Sequence, residues 1–324
     1  MTSPAPVPPQ PTLVDGAVTL RPWAPTEPDL AGAEGLSTKE RHAAYADDRR
    51  AVSFVVEADG VVAGAVTVTR ANGRDGTGRL SWSEVRGRAG DRMSQALRAL
   101  AGYGFEELGL RRVEVYADVA DRDAVRIASR AGLRKEGVVR GYAATGGAVL
   151  LGRLADDPDP FTREGFVATL NAGLPTKRAI AQALIRNERG EVLVCELVYK
   201  NFWDLPGGVV DPGESPAHAV VREIREELRL DARIRSLATV SWLPPWHGWD
   251  DATLFLFDVE VGGAAEVERA VLEPREIRAV HWVDEVGLKA HAADYTARLV
   301  ARAVRQLDEG GGTAYLENGI DPDW

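Results

Sequence analysis

A run of carboxylates after a glycine turn holds the residues of this sequence whose types and spacing could do chemistry. Residues 205–230 read L-P-G-G-V-V-D-P-G-E-S-P-A-H-A-V-V-R-E-I-R-E-E-L-R-L. Ser215 is a favourable N-cap and Pro216 suits the first helical position, so we expect a helix to begin there. At about 100° per residue, three carboxylates share one face of this helix: Glu223, Glu226 and Glu227. The apolar residues fall on another face, so the helix should pack on one side and present its glutamates on the other.

Three neighbouring carboxylates repel one another, so such a cluster needs a compensating partner. Hard divalent cations take oxygen ligands, and Mg²⁺ often bridges carboxylates to substrate phosphates. The cluster therefore predicts a Mg²⁺ or Mn²⁺ site, where a metal can activate water and stabilise a departing phosphate. Arg222 could pair with Glu214 or orient Glu223. The alternative is a solvated, glutamate-rich helix face, but the glycine turn before the helix favours the metal site.

The same segment matches the Nudix box, G-x5-E-x7-R-E-U-x-E-E-x-G-U, in which U is a bulky apolar residue. The residues at the required spacings are Gly208, Glu214, Arg222, Glu223, Ile224, Glu226, Glu227 and Leu230. Arg229 stands where the box has glycine, so the helix should either run one residue longer or carry a left-handed residue at a cost of about 1 kcal/mol. Residues 160–320 also resemble a set of actinobacterial Nudix hydrolases in N-F-W-D-L-P-G-G, S-W-L-P-P and A-Y-L-E-N-G.

This resemblance implies an α/β/α sandwich that uses Mg²⁺ or Mn²⁺ to hydrolyse a nucleoside diphosphate linked to another moiety. The catalytic residues that it implies are Glu223, Arg222 and Glu226. Glu223 would be a metal ligand or the base, and Arg222 the residue that orients the glutamates. The metal ligands that it implies are Glu223, Glu226 and Glu227. A further acid from outside the box would be Glu273 or Glu276.

Substrate binding is expected from the glycine turn and from nearby tryptophans. By the same resemblance, Gly207 and Gly208 would bring the backbone close to the metal or a phosphate. Trp203 lies just before this turn and could line the same pocket. Trp246 lies in the segment S-W-L-P-P-W-H-G-W-D-D, residues 241–251, where an exposed ring could stack on a base. The alternative is that tryptophans in this segment pin a proline-bent loop to the domain.

The N-terminal part resembles a second family, the GNAT acyltransferases that act on amino groups. Residues 13–155 carry L-R-P-W, then the long run from R-G-R-A-G-D-R-M to F-E-E-L-G-L-R-R-V-E-V, then A-S-R-A-G-L-R-K-E-G-V-V-R. The family binds the pyrophosphate of acetyl-CoA on backbone N–H groups at a helix N-terminus. In one alignment Asp91 and Met93 replace a glycine and a small residue of that loop. The other alignment keeps Arg86-Gly87-Arg88 and Gly90 but needs an inserted residue.

Asp91 would place a negative charge where the pyrophosphate binds, so we predict a non-catalytic GNAT-like domain. Scaffolding, dimerisation in a homodimer and substrate capture are its alternative roles. The alternative function is a bifunctional protein that also transfers acetyl groups from acetyl-CoA, for which Glu84 and Tyr142 would be tested. A second alternative is a sensor that binds a nucleotide without turnover, which the intact set of glutamates disfavours.

Helical and strand patterns alternate along the chain, which predicts an α/β (α+β) protein with two domains. We place a disordered lead-in at residues 1–12, the GNAT-like domain with a mixed sheet at 13–155 and a linker at 156–177. The Nudix domain should cover 178–308, and 309–324 should form a C-terminal tail. The polar run A-D-D-P-D-P after Leu154 marks the predicted boundary.

Composition narrows the classes of partner and compartment. A formal net charge of −10 argues against a nucleic-acid or membrane-surface binder, so we expect a small nucleotide diphosphate as the substrate. Cys195 is the one cysteine, which suits a reducing cytoplasm. The first residues lack a basic and apolar signal pattern, and no stretch has the roughly 18 apolar residues that span a bilayer.

Overall fold

The computed structural model describes residues 10–23, 51–70, 76–85, 91–142, 146–246 and 248–324. The chain divides into two compact units, Met1–Leu174 and Pro175–Trp324. Among the described residues, no helix is long and apolar enough to cross a membrane. Residues 1–9 of the predicted lead-in lie outside the described part of the chain.

The first unit is built on an eight-stranded sheet with the order β1-β2-β3-β4-β5-β6-β8-β7. Its strands are β1 (Leu13–Asp15), β2 (Val18–Pro22), β3 (Ala51–Ala58), β4 (Val61–Arg70), β5 (Thr77–Glu84), β6 (Arg112–Asp118), β7 (Arg134–Arg140) and β8 (Gly147–Leu154). Its helices are α1 (Arg92–Glu106), α2 (Arg122–Arg130) and α3 (Arg163–Gly173). Strands β5 and β6 pair in parallel, while the other neighbouring strands pair antiparallel.

The core of the first unit forms between this sheet and α1. The helix buries one apolar stripe, Met93, Ala96, Leu97 and Leu100, at the spacing of a single helix face. Alternate residues of β6 join the same core: Val113, Val115 and Ala117. This periodicity of two in the strand and of three to four in the helix explains why the sequence specifies the element types here.

The second unit places helices against two sheets. Its strands are β9 (Arg178–Ile185), β10 (Val192–Leu197), β11 (Gly207–Val209), β12 (Ala232–Leu243), β13 (Ala252–Val261), β14 (Ile277–Val283) and β15 (Ala314–Glu317). Its helices are α4 (Pro216–Leu228), α5 (Gly263–Val267), α6 (Glu285–His291) and α7 (Asp294–Asp308). Five strands form a mixed sheet in the order β11-β9-β13-β12-β15, and β10 pairs with β14.

Two separate apolar cores hold the second unit together. One contains Val220, Ile224 and Leu228 of α4, together with alternate residues of β9. The other contains Leu299, Val300 and Ala303 of α7 and includes Leu184 and Leu256 from the sheet. The mixed sheet thus contributes residues to both cores, as expected for an α/β/α sandwich.

The predicted linker and tail differ from the observed division. Helix α3 lies inside the predicted linker, residues 156–177, and packs on β7 of the first unit. Thr162 caps this helix by accepting a hydrogen bond from the N–H of Gly165 at 3.1 Å. Strand β15 lies inside the predicted tail, residues 309–324, and pairs in parallel with β12. Its residues alternate between buried and exposed, as in a strand that packs with one face on the core.

Candidate active site

Helix α4 positions the glutamates of the Nudix-like segment. The hydroxyl of Ser215 accepts a hydrogen bond from the N–H of His218, and Pro216 occupies the first turn, as predicted from their residue types. The helix ends at Arg229, which has left-handed dihedral angles of φ 55° and ψ 31°. Of the two outcomes expected at this position, the chain therefore takes the strained one, which costs about 1 kcal/mol relative to glycine.

Two glycines let strand β11 approach the helix closely. The N–H of Gly207 donates to a carboxylate oxygen of Glu227 at 3.0 Å. A Cβ atom at Gly208 would lie 2.5 Å from Oε1 of Glu223. Gly207 also has a φ of 132°, which side chains with a Cβ rarely adopt. The glycine turn and two of the three glutamates are therefore in direct contact.

Arg222 holds the exposed side of the cluster. Its guanidinium contacts both oxygens of Glu214 at 3.0 Å, Glu223 at 2.9 Å and Glu226 at 3.0 Å, and it donates to the carbonyl oxygen of Val209 at 3.2 Å. The sequence left open whether it pairs with Glu214 or orients Glu223, and the structure has both contacts. Arg222 lowers the pKa of Glu214, chiefly through their hydrogen bond.

Burial raises the pKa values of two of the glutamates, Glu223 and Glu227. The pKa of Glu227 is raised to about 8, chiefly by burial and also by the nearby carboxylates of Glu223, Glu276 and Asp204, while the hydrogen bond from Gly207 lowers it. Burial also raises the pKa of Glu223, although Arg222 opposes this effect. Shifted pKa values of this kind cluster at functional sites, where burial and like charges are arranged around the ionisable groups that carry the chemistry.

The carboxylates of Glu223, Glu226 and Glu227 are suitable ligands for a hard divalent cation, although they are not arranged as a complete coordination site. Among the described residues, no three His, Cys, Asp or Glu side chains converge closely enough to hold a metal ion. Arg222 contacts Glu223 and Glu226 in this arrangement. Carboxylate oxygens are nevertheless the ligands that hard divalent cations take, and a cation would stabilise carboxylates that repel one another.

Of the two acids outside the box, one acts through its charge on the glutamates of α4. Glu276 raises the pKa of both Glu223 and Glu227 through its charge. Glu273 contacts Glu227 through its backbone, donating its N–H to the carbonyl oxygen of Glu227 at 2.9 Å. The side chain of Glu276 is therefore the better candidate for an additional ligand.

The two tryptophans predicted to bind substrate lie in different surroundings. Trp203 is stacked between His281 and His291, with ring centroids 4.0 Å apart on each side. Both faces of its ring are therefore covered by imidazoles. Trp246 is about half exposed and exchanges backbone hydrogen bonds with Trp249 across a short turn. His247, within that turn, lies outside the described residues.

Three polar residues near the cluster were not expected from the sequence. The amide of Gln182 donates to Asp204 at 2.9 Å, and the ammonium of Lys200 contacts the other oxygen of Asp204 at 2.8 Å. Asp204 in turn lies close enough to Glu227 to raise its pKa. Of these three residues, only Asp204 could have been found from the sequence, since it directly follows Trp203 in W-D-L-P-G-G. Lys200 and Gln182 belong to no motif.

The start of α1 in the first unit holds the two residues that one alignment places in the acetyl-CoA loop. Asp91 precedes the helix, its side chain makes no capping hydrogen bond, and its carboxylate pairs with Arg130. Met93 is fully buried, and its methyl group would lie 2.9 Å from a Cβ atom at Gly64. Residues 86–90, which carry the alternative glycine alignment, lie outside the described residues. In the described part, the two residues that one alignment places in the pyrophosphate loop are thus a carboxylate paired with an arginine and a methionine packed in the core.

Replacing Gly208 by alanine tests whether the position of Glu223 matters. The added methyl group would displace this carboxylate while leaving the backbone unstrained, because Gly208 is not among the residues with positive φ. We expect kcat of the proposed hydrolysis to fall by about 10- to 100-fold with little change in Tm. Gly312→Ala is the matched control, since nothing lies within 4 Å of a Cβ atom there. Equal kcat values in both variants would contradict the role given to Glu223.

Comparisons with known proteins agree with the two observed units. Residues 176–303 match the model of the NUDIX domain, and residues 13–134 match that of the acetyltransferase (GNAT) domain. The chain thus joins a GNAT domain to a Nudix domain, in a mixed α/β architecture. The match to the NUDIX domain contains β11, α4 and the glutamate cluster.

Curated relatives match parts of the chain. A Bacillus subtilis (strain 168) protein provisionally named 8-oxo-dGTP diphosphatase is 33% identical over 32% of this chain and 64% of its own length. The RNA pyrophosphohydrolase of Psychrobacter cryohalolentis is 37% identical over 20% of this chain and 39% of its own length. These relatives are thus matched over less than two thirds of their length. Among solved structures, Mycobacterium smegmatis RimJ in complex with CoA-disulfide is 20% identical, with a TM-score of 0.37, over 50% of this chain and 93% of that chain.

Proposed function

We propose that this protein is a metal-dependent pyrophosphohydrolase that cleaves a nucleoside diphosphate linked to another moiety. The observation that carries the proposal is the contact between the glycine turn and the box helix, where Gly207 binds Glu227 and Gly208 lies against Glu223. This contact places the buried carboxyl group of Glu227 and the half-buried one of Glu223 beside the backbone of the glycine turn, and carboxylate oxygens are ligands that a divalent cation takes in diphosphate chemistry. The matched Nudix model over residues 176–303 supports the same activity.

In the proposed mechanism the carboxylates of α4 hold the cation: Glu223, Glu226 and Glu227. Mg²⁺ or Mn²⁺, when bound, supplies Lewis acidity toward water and screens the charge of the diphosphate. Glu223 accepts the proton of the attacking water, because it is half-buried and its pKa is raised by burial. Arg222 orients Glu223 and Glu226, because one nitrogen of its guanidinium group donates hydrogen bonds to both carboxylates. Attack on one phosphorus then releases two phosphorylated products.

Trp246 is proposed to stack on a flat ring of the substrate. It lies in the connection between β12 and β13. The start of β13 pairs with the start of β9. The N–H of Val210, just after β11, donates to the carbonyl oxygen of Ala179 at this same start of β9. The tryptophan turn and the loop that leads into α4 therefore lie at the same end of the mixed sheet. Arg178 lies over the neighbouring Trp249 ring at 5.0 Å, which holds the turn in place.

For Trp246→Ala we expect KM to rise by about 5- to 50-fold with kcat within a few-fold of wild type, because base stacking contributes about 1–3 kcal/mol. Trp324→Ala is the control, since Trp324 is the most exposed tryptophan of the described residues. An unchanged KM would show that the turn only braces the domain.

The GNAT domain is proposed to be non-catalytic. The support is the start of α1, where Asp91 pairs with Arg130 and Met93 fills the space under the helix. Saturable binding of acetyl-CoA to the full chain, measured by calorimetry, would instead favour the bifunctional alternative. No heat of binding is the expected result.

The substrate is identified by an assay of phosphate release, coupled to a phosphatase, in the presence of Mg²⁺ or EDTA. The compounds to compare are ADP-ribose, nucleotide sugars, dinucleoside polyphosphates, oxidised nucleoside triphosphates and coenzyme A. Metal-dependent turnover of one class establishes the hydrolase and its substrate. Stabilisation of the fold by a nucleotide without any turnover would instead favour a sensor.

A further inference from the structure

The loop of residues 198–202, V-Y-K-N-F, exposes apolar side chains next to the carboxylate cluster. Val198, Tyr199 and Phe202 are all exposed, although each is large enough to contribute to a core. Neighbouring exposed apolar residues with a polar surround are typical of ligand-binding surfaces. Neither the Nudix-like spacing nor the two predicted tryptophans account for this loop.

Backbone hydrogen bonds fix the loop at both ends. The N–H of Val198 donates to the carbonyl oxygen of Glu276 at 2.9 Å. At the other end, Asp204 and Cys195 exchange backbone hydrogen bonds of 2.8 and 3.0 Å. Because Glu276 and Asp204 both act electrostatically on Glu227, the loop joins two groups that border the carboxylate cluster.

A buried polar chain holds Lys200 within this loop. Its ammonium contacts Asp204 at 2.8 Å, and the second oxygen of Asp204 accepts hydrogen bonds from the side chain of Gln182 and the N–H of Leu205, at 2.9 and 3.0 Å. Asp204 and Gln182 are more than nine-tenths buried, whereas the side chain of Lys200 is about half exposed. The lysine is thus held by groups inside the protein while about half of its side chain remains exposed.

This chain is costly as a purely structural feature. The side-chain oxygen of Gln182 is buried and has no hydrogen-bond partner among the described residues. An unsatisfied buried acceptor costs about 1–3 kcal/mol, which an apolar residue would avoid. The amide cannot be turned over to remove this cost, because its oxygen would then face the carboxylate of Asp204.

Tyr199 lies in the electric field of the same groups. Burial raises the pKa of its hydroxyl, Lys200 acts against this effect, and the charges of Glu227, Glu276 and Asp204 raise it further. The aromatic ring therefore lies close to both the lysine and the carboxylates. Because the faces of Trp203 are already covered by His281 and His291, Tyr199 offers a flat surface here that Trp203 does not.

We propose that the loop of residues 198–202 recognises the substrate, with Lys200 binding a phosphate oxygen and Tyr199 contacting the flat ring of a nucleoside diphosphate. This inference rests on the proposed function, which places the diphosphate at the glutamates. Lys200 supplies a positive charge on the loop side, and Asp204 and Gln182 are the positioning residues that hold it. A ligand with both a diphosphate and a ring would contact both Lys200 and Tyr199, whereas inorganic pyrophosphate would contact only Lys200 of this loop.

Binding of α,β-methylene-ADP with Mg²⁺ to the full chain, measured by calorimetry, tests the inference without requiring turnover. We expect Lys200→Met to raise Kd by about tenfold or more, because hydrogen bonds to charged groups are among the strong ones. Lys200→Arg should restore Kd to within about threefold of wild type, because it keeps the charge. Lys289→Met is the matched control, since Lys289 is exposed and pairs with Glu285 one helical turn away.

The readouts separate this inference from the proposed function. If Lys200 only stabilised the loop, Lys200→Met would lower Tm and leave Kd unchanged, which would overturn the inference. No binding of the analogue to the wild-type protein would also overturn it. Loss of binding in Lys200→Met together with no hydrolysis of any compound by wild type would support the recognition loop and contradict the hydrolase.

Discussion

Glu227→Gln is expected to lower kcat of the proposed hydrolysis by at least about a thousandfold while leaving the fold intact. The substitution keeps the size of the side chain, and the glutamine oxygen can still accept the hydrogen bond from Gly207. It removes the negative charge that a cation in the cluster would need. Because Glu227 is 4% exposed, no other side chain can easily take its place.

Activity and folding must be measured together for this variant. Initial rates with saturating Mg²⁺ give kcat, and circular dichroism with a thermal scan reports the fold. Glu188→Gln is the control, since Glu188 is an exposed residue of the same unit. A Glu227→Gln enzyme with rates near those of wild type would remove this residue from the mechanism.

The second expected result is that the metal-free protein loses stability as pH rises, through the titration of Glu227. Its pKa is about 8 in the folded state, above the ordinary value of 4.5. The folded state therefore binds a proton more tightly than the unfolded state, so the penalty is absent at low pH and grows between about pH 5 and pH 8. Its full size is on the order of a few kcal/mol of unfolding free energy. Mg²⁺ favours the ionised carboxylate and should offset the loss, most strongly at high pH.

Urea unfolding across this pH range, in EDTA and in Mg²⁺, measures the effect. Other groups also titrate, so the informative quantity is the difference between wild type and Glu227→Gln at each pH. We expect wild type in EDTA to become less stable relative to the variant as pH rises, and Mg²⁺ to reverse this trend. Parallel curves for the two proteins would show that the buried carboxylate is not linked to folding.

The elements that position the site were predictable because their signals are local. The N-cap at Ser215, the proline after it and the spacing of the glutamates depend on residues within a few helical turns, and the structure has the helix there. The strain at Arg229 was one of two expected outcomes, because a helix end depends on the chain that follows it.

What the sequence did not predict depends on contacts between distant segments. Gln182 and Asp204 are 22 residues apart, and neither residue type indicates that the fold buries them together. The stack of Trp203 between His281 and His291 joins β14 and α6 to the glycine turn, so no local pattern encodes it. Strand β15 is short, and its strand character depends on the exposed edge of β12.

The most direct test of the central claim is to identify the products that the full chain forms from its best substrate, with Mg²⁺ and with EDTA. Mass spectrometry of the reaction distinguishes cleavage between the two phosphorus atoms from cleavage of a terminal ester. Metal-assisted chemistry at the glutamates of α4 predicts two phosphorylated products in Mg²⁺ and no reaction in EDTA. Release of an unphosphorylated product, or equal rates with and without the chelator, would contradict the proposal.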